Sequence, residues 1–267
     1  MTAAVVVQNA TKQYRRPTPV SSWQGRTATL GQATAVSVLN QVSLAIGVGE
    51  IFGVVGPEGA GKSTLVHLLA GQSLPDSGQV VLFGWDTGRH AGQVRRLVNR
   101  VSGEASFFRR LSAFENLVLS AQQAGVGGHE ARRQVLETLQ RLGFDEYALH
   151  LPRGQLSRSQ QALVGIARAL APCPPLLVLD EPLRDLEPTA RRRVLELITD
   201  LRAGHQVTVV IATRDWVEAA LFCDRIALLE NGELLAVHTL RSPGPVLAAA
   251  SLDPAAAAAA RELEMIG

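Results

Sequence analysis

The stretch Gly56-Pro57-Glu58-Gly59-Ala60-Gly61-Lys62-Ser63-Thr64 sets glycines, a lysine and hydroxyls at the spacing G-x-x-x-x-G-K-[ST]. Residues of these types in this order can hold phosphate. Glycines let successive backbone N–H groups curl round the oxygens, and a helix starting behind them adds partial positive charge. Lys62 would pair with the β- and γ-phosphates, and the Ser63 hydroxyl would hold Mg²⁺. An ordinary glycine-rich turn before a helix would need neither the lysine nor the hydroxyl. Two further candidates follow apolar runs, as Gly56 does: Asp180-Glu181 after Leu176 to Leu179, and Arg214 soon after Val207 to Ala212. If each run is a strand of one parallel sheet, all three converge on a crevice at the strand C-termini.

The phosphate-holding pattern needs a strand before it and a helix after it. Ile51 to Val55 is an apolar run of buried-strand type, and Leu65, Leu68 and Leu69 recur at helical spacing until Gly71, a candidate C-cap. Upstream, Ala4 to Val7 reads as a strand, Thr11 to Tyr14 closes the first segment, and Val38 to Ile46 alternates as a strand. The intervening 15–37 stretch, with Pro17, Pro19, Gly25 and Gly31, is long for a structureless connection. It reads as a surface insertion or a small hairpin, with Trp23 a solvated aromatic or a partner contact.

Downstream, Val80 to Phe83 reads as a strand and 109–150 as mainly helical, with Leu117, Val135 and Leu139 on apolar faces. A further helix carries Leu163, Ile166, Ala167 and Leu170 on one stripe. Pro188 suits the first turn of a helix that points Val194, Leu195, Ile198 and Leu201 inward. Asn231-Gly232, between Ile226 to Leu229 and Glu233 to Ala236, predicts a tight hairpin. The tail, 241–267, favours a terminal helix through its Ala255–Ala260 run. The order of strand, loop and helix, then a helical block, then alternating strands and helices predicts an α/β fold built on a mainly parallel sheet with flanking helices.

With 267 residues, the chain suits one large α/β domain or two small ones, and 46% hydrophobic residues supply its core. A formal charge of +2 implies no nucleic-acid partner. Cys173 and Cys223, both in apolar company, read as core residues and make neither a disulfide framework nor a zinc site, which fits a reducing cytosol. Met1 to Ala10 lacks the pattern of a signal peptide, and no window reaches the ~18 unbroken apolar residues of a membrane span. The chain reads as soluble, and the arginine pairs at 95–96, 109–110 and 132–133 as solvated faces.

Taken together, the motifs resemble the ATP-binding cassette (ABC) family from Val5 to about Leu235. Gly56 to Thr64 resembles its Walker A motif, and Leu176 to Pro182, LLVLDEP, its Walker B motif. Leu156-Ser157-Arg158-Ser159-Gln160 lies where the family writes LSGGQ, and Tyr14 where it stacks adenine on an aromatic. The resemblance implies a P-loop NTPase core with an N-terminal antiparallel β region and an inserted helical subdomain at about 100–172, all within an ATP-binding domain at 1–240. It also implies ATP and Mg²⁺ as cofactors. Asp180 would hold the metal through its water shell, and Glu181 would orient or deprotonate the attacking water. The implied partners are a second ABC subunit and an integral membrane transporter subunit, whose coupling helix would dock near Gly103 to Arg110. The chain would then sit in the cytoplasm, peripheral on the inner face of the cell membrane.

Four positions depart from the family pattern. The Q-loop glutamine falls at Gly103, leaving neighbouring Glu104 as the candidate oxygen ligand for the metal. The switch histidine is Arg214, which stays charged and can hold a phosphate but cannot relay a proton. The D-loop reads Asp185-Leu186-Glu187. In the signature, Ser157-x-x-Gln160 predicts a capping box, but Arg158 and Ser159 replace both glycines that would let a backbone approach the opposite subunit's phosphate. The expectation is firm Mg-ATP binding, slow turnover as a homodimer, and pairing with a cassette whose signature is intact. GEIFGVVGPEGAGKSTL is most similar to exporter subunits. The alternatives are a non-transport ABC ATPase, against which a single cassette without zinc spacing or basic excess counts, and a mainly ATP-binding, weakly catalytic partner in a heterodimer.

Overall fold

The computed structural model describes residues 3–16, 34–101, 108, 110–170 and 173–240. Most of the 15–37 insertion, with Trp23, lies outside the described residues, as do Gly103, Glu104 and the 241–267 tail. Among the described residues no helix is long and apolar enough to cross a membrane.

Three apolar runs become neighbouring strands because neither of their faces meets water. These are β3 (Ile51–Val55), β7 (Leu176–Asp180) and β8 (Thr208–Thr213), and every residue of β3 and β8 is buried. Such doubly covered strands are typical of parallel sheets. The introduced strands join β6 (Val98–Val101), β9 (Arg225–Glu230) and β10 (Glu233–Thr239) in a six-stranded sheet of order β10-β9-β3-β8-β7-β6. All its pairings are parallel except that of β10 with β9. Alternate side chains feed two cores. Phe52, Val54, Leu176 and Val178 face one, while Ile51, Val55, Leu177 and Leu179 face the other.

The first core is closed by α1 (Lys62–Leu69) and a four-stranded antiparallel sheet of order β2-β1-β4-β5. Its strands are β1 (Ala3–Arg16), β2 (Thr34–Gly47), β4 (Ser77–Leu82) and β5 (Trp85–Asp86). Here the strands run further than the sequence alternation indicates. Positive-φ residues Asn9 (φ 46) and Gln41 (φ 47) and several register shifts break the two-residue period, yet pairing continues to Tyr14↔Val36 and Arg16↔Thr34. The ends of the 15–37 stretch are therefore the base of a strand pair, which corrects its boundaries.

The second core holds the helical block: α3 (Ala113–Gln123), α4 (Gly128–Arg141), α5 (Glu146–His150), a short 3₁₀ turn at Arg153–Gln155, and α6 (Arg158–Leu170). Residues 98–101, at the near edge of this block, belong to the sheet as β6. The polar stretch before it forms α2 (Ala91–Leu97), a helix that the apolar spacing does not announce. α3 starts on a capping box in which Ser112 and Glu115 exchange side-chain-to-backbone hydrogen bonds. The predicted box at α6 has the same form. Gln160 N–H donates to Ser157 Oγ at 3.1 Å, and Ser157 N–H donates to Gln160 Oε1 at 2.9 Å. Completing the layers are α7 (Pro188–His205) and α8 (Trp216–Phe222).

The cysteines part company. Cys223 is buried, its Sγ 3.0 Å from where a Cβ on Gly53 would stand, and burial pushes its thiol pKa up. Cys173 is exposed: it sits at φ 46 just beyond the end of α6, with its N–H donating to the Leu170 carbonyl at 2.9 Å. Reading it as a core residue is corrected accordingly.

Candidate functional site

The loop between β3 and α1 is shaped by glycines with different duties. A Cβ on Gly56 would lie 2.0 Å from the Leu229 carbonyl oxygen of β9, so no side chain fits there. Gly61, the α1 N-cap at φ 101, would collide with the Val38 carbonyl oxygen at 2.6 Å. Gly59 (φ 81) has open space around it and faces the cavity. The predicted hairpin supports the same loop. Asn231 (φ 47) and Gly232 (φ 81) make the tight turn, and Gly232 N–H donates to the Ala60 carbonyl at 3.0 Å.

Lys62 is 6% exposed, and its ammonium donates to the carbonyls of Gly56 at 2.7 Å and Pro57 at 2.8 Å. Burial holds its pKa below the ordinary lysine value, opposed chiefly by the Glu181 carboxylate. Ser63 lines the cavity and is exposed, while Thr64, which also lines it, is buried.

Across the cavity, Glu181 follows the last residue of β7 with φ 48, a left-handed conformation that costs a non-glycine residue about 1–2 kcal/mol. Its N–H donates to the Ala212 carbonyl of β8 at 2.8 Å, which fixes the turn and aims the carboxylate at the loop. Such strain is characteristic of functional positions. Arg214 stands between the end of β8 and the α8 N-cap, where Asp215 accepts from Glu218 N–H at 2.9 Å. Its guanidinium spans the cavity, with Nη1 3.1 Å from Glu58 Oε2 and Nε 3.1 Å from Glu181 Oε1.

The structure thus gathers Glu58 to Thr64, Glu181 and Arg214 around one cavity. Two lining residues, Val38 and Arg184, are not evident as site residues from the sequence. Val38 enters because β2 runs beneath the loop. Arg184 enters because a turn returns it to the Glu181 side, with its N–H 3.4 Å from the Glu181 carbonyl. Separation by three residues was the signal available. Tyr14 does not line the cavity. It pairs with Val36, two residues before Val38, and its ring lies 5.8 Å from the Lys12 ammonium. Ser157, Arg158, Ser159 and Gln160 also lie away from the cavity, at the start of α6, with Ser157 and Arg158 exposed.

The residues present fit a hard cation. Asp180 Oδ1 is buried and has no hydrogen-bond partner among the described residues, which suits an oxygen reserved for a bound ligand. No group of three or more His, Cys, Asp and Glu that could hold a metal occurs among the described residues. A cation here would rest on Asp180, Ser63 and phosphate oxygens, the manner usual for Mg²⁺.

A parallel sheet that ends in a glycine cradle with a buried lysine, beside a strained carboxylate at the end of a nearby strand, defines the P-loop class of nucleotide-binding folds. The sequence profile of the ABC transporter family matches residues 39–184. The chain belongs to that family.

Among its relatives is the methionine import ATP-binding protein MetN of Geobacillus kaustophilus, 34% identical over 78% of this chain and 63% of the relative. The glycine betaine/proline betaine transport system ATP-binding protein ProV of Escherichia coli is 35% identical over 75% of this chain and 51% of the relative. The matched stretch therefore spans about half to two thirds of these relatives' lengths. Among solved structures, the ATP-binding cassette MJ0796, a dimer in a post-hydrolysis state bound to ADP and Pi, superposes with a TM-score of 0.76 at 29% identity, covering 89% of this chain and 99% of that one.

Proposed function

We propose that the chain is the ATP-binding subunit of an ABC transporter, binding and hydrolysing Mg-ATP to drive transport by a separate membrane subunit at the inner face of the cell membrane. The observation that carries this reading is the arrangement of Lys62, Ser63, Glu181 and Arg214 around one cavity. The loop amides and Lys62 bind the β- and γ-phosphates, and Ser63 and Asp180 hold the metal, which when bound neutralises charge on the phosphates. Glu181 orients the attacking water and accepts its proton. Arg214 carries a permanent charge, so it stabilises the γ-phosphate at every physiological pH without relaying a proton. To do so it exchanges its contacts with Glu58 and Glu181 for phosphate oxygens.

Tyr14, on β1 opposite Val36, takes the adenine side, and the start of α6 faces a partner cassette. Arg158 and Ser159 in place of glycines weaken that second role, so the site turns over slowly when two copies of this chain pair. A cassette with an intact signature restores it. The relatives named above are described as import or transport-system components, with identity extending over about three quarters of this chain. The likeness to exporters rests on the single stretch around the phosphate loop, so the import direction takes precedence.

Steady-state phosphate release tests this. The purified chain alone should bind ATP yet turn over below about 1 s⁻¹, the slow end of ordinary enzyme rates. Adding a cassette with unbroken LSGGQ should raise the rate. Turnover well above that level from the chain alone, or no ATP binding, contradicts the reading.

A further inference from the structure

Among the described residues, three cations line the cavity: Lys62, Arg184 and Arg214. Two are engaged. The Lys62 ammonium donates to the Gly56 and Pro57 carbonyls, and Arg214 is held by Glu58 and Glu181. The Arg184 side chain has no hydrogen bond or ion pair among the described residues, yet it faces the cavity. A guanidinium presents five donors in a planar fork that matches phosphate oxygens two at a time.

The backbone beneath Arg184 is fixed although its side chain has no partner among the described residues. Leu183 and Leu186 are buried, 2% and 4% exposed, and anchor the turn on both sides. Arg191 of α7 binds the same turn, donating from Nε to the Leu186 carbonyl at 2.9 Å and from Nη2 to the Arg184 carbonyl at 3.4 Å. The turn begins at Glu181, so Arg184 projects from the wall that also holds the Glu181 carboxylate, opposite the glycine loop.

We propose that Arg184 is a specificity-determining residue of this site: its guanidinium takes the outermost phosphate of a nucleoside triphosphate and so favours the triphosphate over the diphosphate. The proposal rests on the nucleotide reading above. A diphosphate held by the loop amides and Lys62 ends on the loop side and leaves Arg184 without a partner. A triphosphate extends toward the Glu181 wall, where Arg184 adds charge-assisted hydrogen bonds. Neither a proton nor a bond changes hands, so the effect is on binding.

The test is titration of the purified full chain with Mg²⁺ and either a non-hydrolysable ATP analogue or ADP, comparing wild type, Arg184→Ala, Arg184→Lys and Lys62→Ala. Arg184→Ala should weaken the triphosphate analogue about tenfold and ADP by less than about twofold, the yield of one solvent-accessible charged contact. Arg184→Lys, which keeps the charge and loses the fork, should fall between. Lys62→Ala should weaken both ligands. If Arg184→Ala leaves the ratio of the two affinities unchanged while Lys62→Ala weakens both, the proposal fails and the nucleotide reading stands. The proposal fails equally if Arg184→Ala alters only self-association. If Lys62→Ala affects neither ligand, the nucleotide reading fails, and the proposal with it.

Discussion

Glu181→Gln should lower ATP turnover by about 10²–10⁴-fold, the usual contribution of a positioned general base, while nucleotide still binds. The amide has the volume of the carboxylate, and the backbone that aims it is held by the Glu181 N–H bond to Ala212, which the substitution does not touch. What changes is charge. Glutamine cannot accept the proton of an attacking water, and Arg214 loses one of its two carboxylate partners and keeps Glu58. Freed on that side, Arg214 is more available to a γ-phosphate, so ATP should bind at least as tightly as in the wild type. Single-turnover phosphate release, run beside an equilibrium titration, separates the two effects. Turnover within about tenfold of wild type would remove Glu181 from the chemistry.

Lys62→Ala should weaken nucleotide binding by about 10²-fold or more, since a charged donor contributes about 1.5–3 kcal/mol per hydrogen bond and the ammonium can serve two phosphates. The effect on folding should be far smaller. Truncation leaves the Gly56 and Pro57 carbonyls without their donor, but it also removes a cation whose burial is unfavourable, as its lowered pKa shows. The two terms oppose each other, and the net change in stability should stay within about 1–2 kcal/mol. Isothermal titration with ATP and a thermal melt of the same preparation measure both. Undiminished affinity would mean that the phosphates bind elsewhere.

Much of the fold is legible because the residues that set it act locally. The apolar runs at 51–55 and 176–179 declare doubly buried strands, Pro188 marks a helix start, and Asn231-Gly232 marks a hairpin. The capping box at Ser157 is read from two residues three apart, and its geometry depends on nothing further away. Legibility fails where distant chain decides the outcome. β1 and β2 pair past Asn9 and Gln41 because each supports the other, although neither alternates over its whole length. Cys173 has apolar neighbours in sequence, yet its place at φ 46 just beyond the end of α6 leaves it exposed.

The site divides the same way. Glycines, Lys62 and Ser63 are contiguous, and Glu181 follows an apolar strand, so their chemistry is readable from residue type and spacing. The bridge from Glu58 through Arg214 to Glu181 is not, since its members come from three separate strand ends. It also gives Glu58 a physical setting. Without a ligand, the Glu58 carboxylate of the phosphate loop is paired with Arg214, the same cation that the γ-phosphate would take over. Val38 and Arg184 reach the cavity through strand crossing and turn geometry, which composition does not report.

The central claim is that a triphosphate lies in the amide cradle around Lys62 with its last phosphate toward Glu181. A crystal structure with Mg²⁺ and a non-hydrolysable ATP analogue tests it most directly. The expected result is γ-phosphate oxygens within hydrogen-bond distance, about 2.7–3.2 Å, of Lys62 Nζ, with Arg214 drawn off Glu58 and Glu181 onto the phosphate. A nucleotide bound with its phosphates outside the 56–64 loop, or with its γ-phosphate directed away from Glu181, would contradict it.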